Sequence, residues 1–201
     1  MMTVPGFAQR PSVWAAGAVL CTLAGCSSTP VAQPAERMAP LQLALAPAAL
    51  GCSLAVQQQL TVQPPNGSAQ TLDALLEVEG QVVRLALFHL GQRMGTLSWD
   101  GAQLQTQLSR WWPAQLPPAQ VLSDMQLALW PVPAIAQALP EGWQLQQVGQ
   151  GRQLSYQGQT RVDVLAAGAN AFDIRYAPAA WSLQVASPGG MQPCAAAQEA
   201  L

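Results

Sequence analysis

From residue 70 to residue 89, apolar side chains recur at every second position, the period of a strand with one buried face. In TLDALLEVEG, Leu72, Ala74, Leu76 and Val78 share one side, while Asp73, Glu77 and Glu79 share the other. QVVRLALFHL follows. A two-residue turn at Gly80-Gln81 sets Val78 against Val83, Leu76 against Leu85 and Ala74 against Leu87. On the reverse face Glu77 then meets Arg84. A slip of one residue would turn every side chain to the wrong side, so this agreement specifies a register. TLSWDGAQLQTQL carries Asp100-Gly101, a favoured type I′ pair. It predicts Trp99 opposite Ala102 and Leu97 opposite Leu104, with Gln103, Gln105 and Gln107 facing the other way. A third pair spans Ala177–Ala180, with Tyr176 against Trp181, Ile174 against Leu183 and Phe172 against Val185. GRQLSYQGQTRVDVL also alternates, but a turn at Gly158-Gln159 would set Tyr156 opposite Arg161. That loop is longer, bulged or in another register.

One segment departs from the two-residue period. VLSDMQLALWPVPAIAQALPEGW reads as helical, with Ser123 and Gln126 as a capping-box pair. Pro131 and Pro133 interrupt it, and a second short helix stops before Pro140 and Gly142. The order is strands, helices, strands. It predicts a mainly β fold with a short helical segment (α+β), in which a curved antiparallel sheet curls around helices that cover its apolar face.

The N-terminus has another logic. An apolar run of eleven residues, Val13 to Leu23, follows a leader whose only charged side chain is Arg10, and ends in Leu23-Ala24-Gly25-Cys26. The run is too short for a bilayer span of roughly 20 residues. The pattern is the lipobox of bacterial lipoproteins, in which small residues admit the peptidase and the Cys26 thiol accepts diacylglycerol. Residues 1–25 are then a signal peptide, carrying Cys21 away with them. SSTPVAQPAERMAP, rich in Ser, Pro and Ala, makes 26–40 a lipid-anchored tether. The folded domain spans 41–187, and 188–201 forms a Gly/Pro/Ala tail.

Composition narrows the function classes. The chain has no lysine, 9% charged residues, 50% hydrophobic residues and a net charge of −2. That balance argues against a nucleic-acid partner and against disorder. Export suits a disulfide, and Cys52 and Cys194, flanking the domain, are the candidate pair.

LGQRMGTLSWDG, VLSDMQLALWP and ALPEGWQL, in this order, resemble a family of uncharacterised bacterial lipoproteins encoded with aryl-polyene pigment biosynthesis. That family is similar in fold to the LolA/LolB lipoprotein carriers. The resemblance covers roughly Leu41 to Ser187 and implies a half-open antiparallel β-barrel, closed by helices around a cavity for acyl chains. The cavity is what the resemblance adds to the reading of the strands. Its lining would comprise Ala74, Leu76, Leu85, Leu87, Leu97, Trp99, Phe172, Ile174 and Trp181 from the sheet, with Met125, Leu129 and Trp130 from the helical lid.

Catalysis finds little support in the residues. His89 is the only histidine and falls on the apolar side at a strand end, where a structural or partly exposed imidazole is the ordinary case. Glu77 and Glu79 lie roughly 7 Å apart on one face, but Arg84 opposite would keep Glu77 ionised. No Cys/His spacing suits a metal, no glycine-rich loop suits a phosphate, and neither a cofactor nor an enzyme activity is expected. In RWWPAQLPP, Trp111 and Trp112 cannot both point inward from one strand. One can cap the barrel rim, or the loop can dip into the membrane interface. The expectation is an outer-membrane lipoprotein facing the periplasm, since Ser27 rather than Asp follows Cys26. It is held by membrane lipid through acylated Cys26 and binds a hydrophobic ligand. The competing expectation is an accessory lipoprotein with a filled barrel that acts through contacts with envelope proteins.

Overall fold

The computed structural model describes residues 41–177 and 180–190. The expected signal peptide, Cys26, the expected tether, Cys194 and the tail beyond residue 190 lie outside the described residues. An extended segment, residues 41–46, leads into a short 3-10 turn, Pro47–Leu50. Five strands follow: β1 (Leu54–Gln63), β2 (Gln70–Glu79), β3 (Val82–His89), β4 (Gln92–Trp99) and β5 (Leu104–Leu108). Two helices, α1 (Pro118–Leu129) and α2 (Val132–Ala138), lead to β6 (Trp143–Val148) and β7 (Gly151–Tyr156). The chain ends with β8 (Gln159–Ala166), β9 (Ala171–Tyr176) and β10 (Trp181–Ala186). All ten strands form one antiparallel sheet in the order β5-β4-β3-β2-β1-β10-β9-β8-β7-β6. It is two five-stranded meanders joined through the β1–β10 ladder. The sheet is curved and open, and the helical segment runs from its β5 edge to its β6 edge.

The alternation in β2 and β3 has the expected consequence. Val78 pairs with Val83, Leu76 with Leu85, Ala74 with Leu87 and Glu77 with Arg84. Tyr176, Ile174 and Phe172 likewise pair with Trp181, Leu183 and Val185. Arg84 lies 3.0 Å from Glu79 and 3.9 Å from Glu77, with all three side chains more than half exposed. This is a solvated face whose ion pairs contribute little to stability.

Two expectations need correction, the Asp100-Gly101 turn and the capping box, and the open question of the loop after Tyr156 is answered. The Asp100-Gly101 turn is wider than two residues, so Trp99 pairs with Leu104 and Leu97 with Thr106. The Asp100 carboxylate accepts the backbone N–H groups of Ala102 and Gln103, each at 2.8 Å, and these bonds hold its pKa below the ordinary value. The side chain, not a type I′ pair, shapes this loop. In the second meander the turn is Gln157-Gly158, with positive φ at both residues. Tyr156 therefore faces Gln159, and a bulge after Leu154 absorbs Arg161. A second bulge lies in β4, where Met94 is the extra residue opposite the Leu87–Phe88 step of β3. His89, at the end of β3, is exposed, its Nδ1 3.0 Å from the carbonyl of Thr71. Finally, α1 starts at Pro118, so Ser123 and Gln126 sit in mid-helix and form no capping box.

Candidate functional site

Helix α1 is where the layers meet. Every residue from Gln120 to Leu127 is buried, so this stretch has no solvent face. A helix in that position must satisfy polar side chains as well as apolar ones, because a buried group without a partner costs about 1–3 kcal/mol. Apolar contact comes first. Leu122 and Met125 meet Leu76, Val83, Leu85, Leu97 and Trp99 of the first meander, leaving a void of only about 10 Å³. That is at the lower limit for one water molecule.

The residues expected to line a cavity converge here. Leu76, Leu87, Trp130 and Ile174 are fully enclosed, Ala74, Leu85, Leu97, Trp99, Met125 and Phe172 are buried, and Leu129 and Trp181 are partly buried. They form one core.

Part of that core comes from residues 41–46. Leu41, Leu43 and Leu45 are buried while Gln42 and Ala44 are exposed, an alternation like that of a strand. Yet among the described residues no backbone–backbone bond ties 41–45 to the sheet. Side chains hold this strap instead. Ser123 Oγ accepts the N–H of Leu43 at 2.9 Å and donates to the carbonyl of Leu41 at 3.2 Å. Gln126 Oε1 accepts the N–H of Leu45 at 3.0 Å, and its Nε2 donates to the carbonyl of Leu45 at 2.9 Å. The indole N–H of Trp99 donates to that same carbonyl at 2.7 Å, and that of Trp130 to the carbonyl of Ala46 at 3.1 Å. The pair that resembles a cap in the sequence therefore binds another piece of backbone, some eighty residues away.

A second polar cluster fixes α1 to β9. Tyr176 donates its hydroxyl proton to Asp124 Oδ1, and Gln120 Nε2 donates to the same oxygen at 2.8 Å and to the Tyr176 hydroxyl at 2.6 Å. Asp124 is wholly enclosed, and its Oδ2 has no hydrogen-bond partner. Burial pushes this carboxyl up to about 7, against the lowering effect of the bonds from Tyr176 and Gln120. Burial, with the adjacent Asp124 charge, also raises the Tyr176 phenol well above its ordinary value. At the other end of the helix, Arg152 donates to the carbonyl of Leu127, a favourable place for a cation. Gln58 points inward from β1, 1% exposed, and neither its amide nitrogen nor its oxygen has a partner. None of these polar groups stands out in the sequence reading. Buried glutamines and an aspartate in a glutamine-rich chain carry no local signal of burial.

The turn end of the sheet carries the other features. Trp112 packs against Gly95 and donates its indole N–H to the carbonyl of Leu116 at 2.7 Å. Trp111 is 63% exposed, with the Arg110 guanidinium 4.6 Å from its ring centroid. The two tryptophans thus divide between core and solvent. At this end a groove of about 240 Å³ runs between the β1–β2 turn and residues 113–116, touching Val62, Pro64, Leu72, Pro113 and Leu116. Leu90, in the β3–β4 turn at this same end, is 87% exposed. Cys52 is disulfide-bonded. Cys194, its expected partner, lies outside the described residues. Among the described residues no three His, Cys, Asp or Glu side chains are placed to hold a metal ion, and no helix is long and apolar enough to cross a membrane.

Among solved structures, the crystal structure of a LolA superfamily protein from Nitrosomonas europaea is similar at 7% identity, with a TM-score of 0.36. The likeness covers 73% of this chain and 91% of that one. No curated protein matches the chain in sequence. A family profile described as a protein of unknown function, DUF3261, matches residues 55–188, from the start of β1 to just beyond β10. The chain belongs to the DUF3261 family.

Proposed function

We propose that this protein is an outer-membrane lipoprotein, anchored through acylated Cys26, whose periplasmic domain binds a hydrophobic ligand inside the curved sheet without catalysis. The observation that carries this reading is the strap. The interior already accommodates a linear apolar segment, 41–46, that pairs with no strand among the described residues and whose residues 41–45 are held only by side chains. A chain held in this way can leave while the ten-stranded sheet stays paired. The lipobox at Leu23-Ala24-Gly25-Cys26 supports the anchor. The resemblance to lipoproteins encoded with aryl-polyene biosynthesis supports a polyene lipid, an acyl chain or a lipoprotein as cargo for transfer or insertion.

The 10 Å³ void favours a second reading, an accessory envelope protein whose filled interior serves only stability. Native mass spectrometry of the acylated protein extracted from envelopes separates the two. Ligand binding predicts a bound hydrophobic molecule beyond the mass of the lipidated chain. A single ligand-free species, with no uptake of a fluorescent fatty-acid or polyene probe, rejects it. The anchor is tested by Cys26→Ser, which should leave the envelope fraction; unchanged fractionation and mature mass would refute lipidation.

A further inference from the structure

The chemistry of the strap's partners narrows the ligand class. Six side-chain hydrogen bonds reach the strap backbone, from Ser123, Gln126, Trp99 and Trp130, and the one backbone bond to it, from Ala49 N–H to the carbonyl of Ala46, belongs to the 3-10 turn that follows. Two are accepted from N–H groups and four are donated to carbonyls, matching the two-sided character of a peptide backbone and nothing in a hydrocarbon. Ser123 is 1% exposed and Gln126 is fully enclosed, so neither can turn to solvent where it stands. The apolar part is equally peptide-like. Leu41, Leu43 and Leu45 enter at every second residue, while Gln42 and Ala44 stay outside. This is the spacing of side chains in an extended strand.

We infer that the slot beside α1 is a recognition site for an extended polypeptide segment with apolar side chains at alternate positions, and that residues 41–46 are its resident occupant. The inference rests on the reading that the interior admits a ligand, and it names the class of that ligand. An acyl chain in the strap's place would leave the Ser123 hydroxyl, the Gln126 amide and two indole N–H groups buried without partners, a penalty that a second peptide escapes. Recognition of this kind resembles strand addition, with helix side chains in place of a sheet edge.

The test uses the full mature chain with Leu41→Ser, Leu43→Ser and Leu45→Ser, which removes the apolar occupant while keeping every other residue. A fluorescein-labelled peptide of the sequence Leu-Gln-Leu-Ala-Leu-Ala and a dansylated fatty acid are titrated in parallel. The peptide should bind roughly tenfold or more tightly than the fatty acid, and Gln126→Ala should weaken the peptide by about tenfold while leaving the fatty acid unchanged. Fatty acid binding as tight as the peptide, or tighter, overturns the inference and leaves the hydrophobic-ligand reading standing. Failure of both probes on a folded variant overturns both. Should the triple variant not fold, Leu43→Ser alone opens the centre of the same slot and is judged by the same outcomes.

Discussion

Strand β2 and the strap bury leucines in the same alternating way, yet their backbones are held by different means. In β2, Leu72 pairs with β1 and Leu76 with both β1 and β3, so removing the strand breaks the sheet. In the strap, Leu41, Leu43 and Leu45 are almost as well buried, but the backbone rests on Ser123, Gln126, Trp99 and Trp130. Equal burial therefore does not mean equal permanence. Hydrophobic area holds both segments in the core, and the hydrogen-bond partners decide which of them can be exchanged without unfolding the rest.

The sharpest way to break this comparison is to remove one leucine from each segment. Leu76→Ala should cost about 2–5 kcal/mol in global unfolding, the range for a large-to-small change in a closed core. Leu43→Ala should cost clearly less, because the strap can undock before the sheet melts. Urea titrations decide it: equal losses in both variants would place the strap in the same cooperative unit as the sheet.

Asp124→Asn separates the contact of α1 with the sheet from its contact with the strap. The Asp124 pKa is raised from 3.8 to about 7, so its stabilising contribution is complete below pH 3.8 and is lost as pH rises through about 7. Asn keeps an oxygen for Tyr176 and Gln120 but carries no charge. The variant should match wild type near about pH 4 and melt at a higher temperature than wild type near about pH 8.5. Parallel melting curves at both pH values would remove the buried carboxylate from the account.

Ala74→Phe probes the space on the ladder side. Ala74 is buried in the core, where overpacking should cost about 1–3 kcal/mol. Melting without loss would reveal open space beside Ala74. The smallest effect belongs to Trp111→Ala. Its exposed side chain supports neither segment, so stability should stay within about 0.5 kcal/mol while binding to anionic vesicles falls. Unchanged vesicle binding would end the membrane-interface role of this rim.

The ladders of β2–β3 and β9–β10 were legible because each is local. A short turn and a two-residue period leave one register that buries all the leucines and valines. Where a side chain or a bulge intervenes, local logic fails. Asp100 widens its turn by capturing two N–H groups, and the bulges at Met94 and Arg161 shift the register opposite Leu87 and Leu154. The long strand β1 is missing from the sequence reading because Gln57, Gln58 and Gln59 interrupt its apolar alternation, although Gln58 is buried. The candidate site was half legible. Its apolar lining follows from the strand pattern, but the polar side chains that grip the strap lie about eighty residues from it in sequence. Ser123 and Gln126 gave a signal that had a simpler local explanation, and only the fold shows which backbone they serve.

The most direct test of the strap as an exchangeable occupant is native-state hydrogen exchange across a urea series. The amides of Leu43 and Leu45, bonded to Ser123 and Gln126, should exchange through a local opening with low free energy and little urea dependence. The amides of the β2–β3 ladder should exchange only with global unfolding and its full urea dependence. If the strap amides follow the ladder in both free energy and slope, the strap is a fixed part of the core and the account fails.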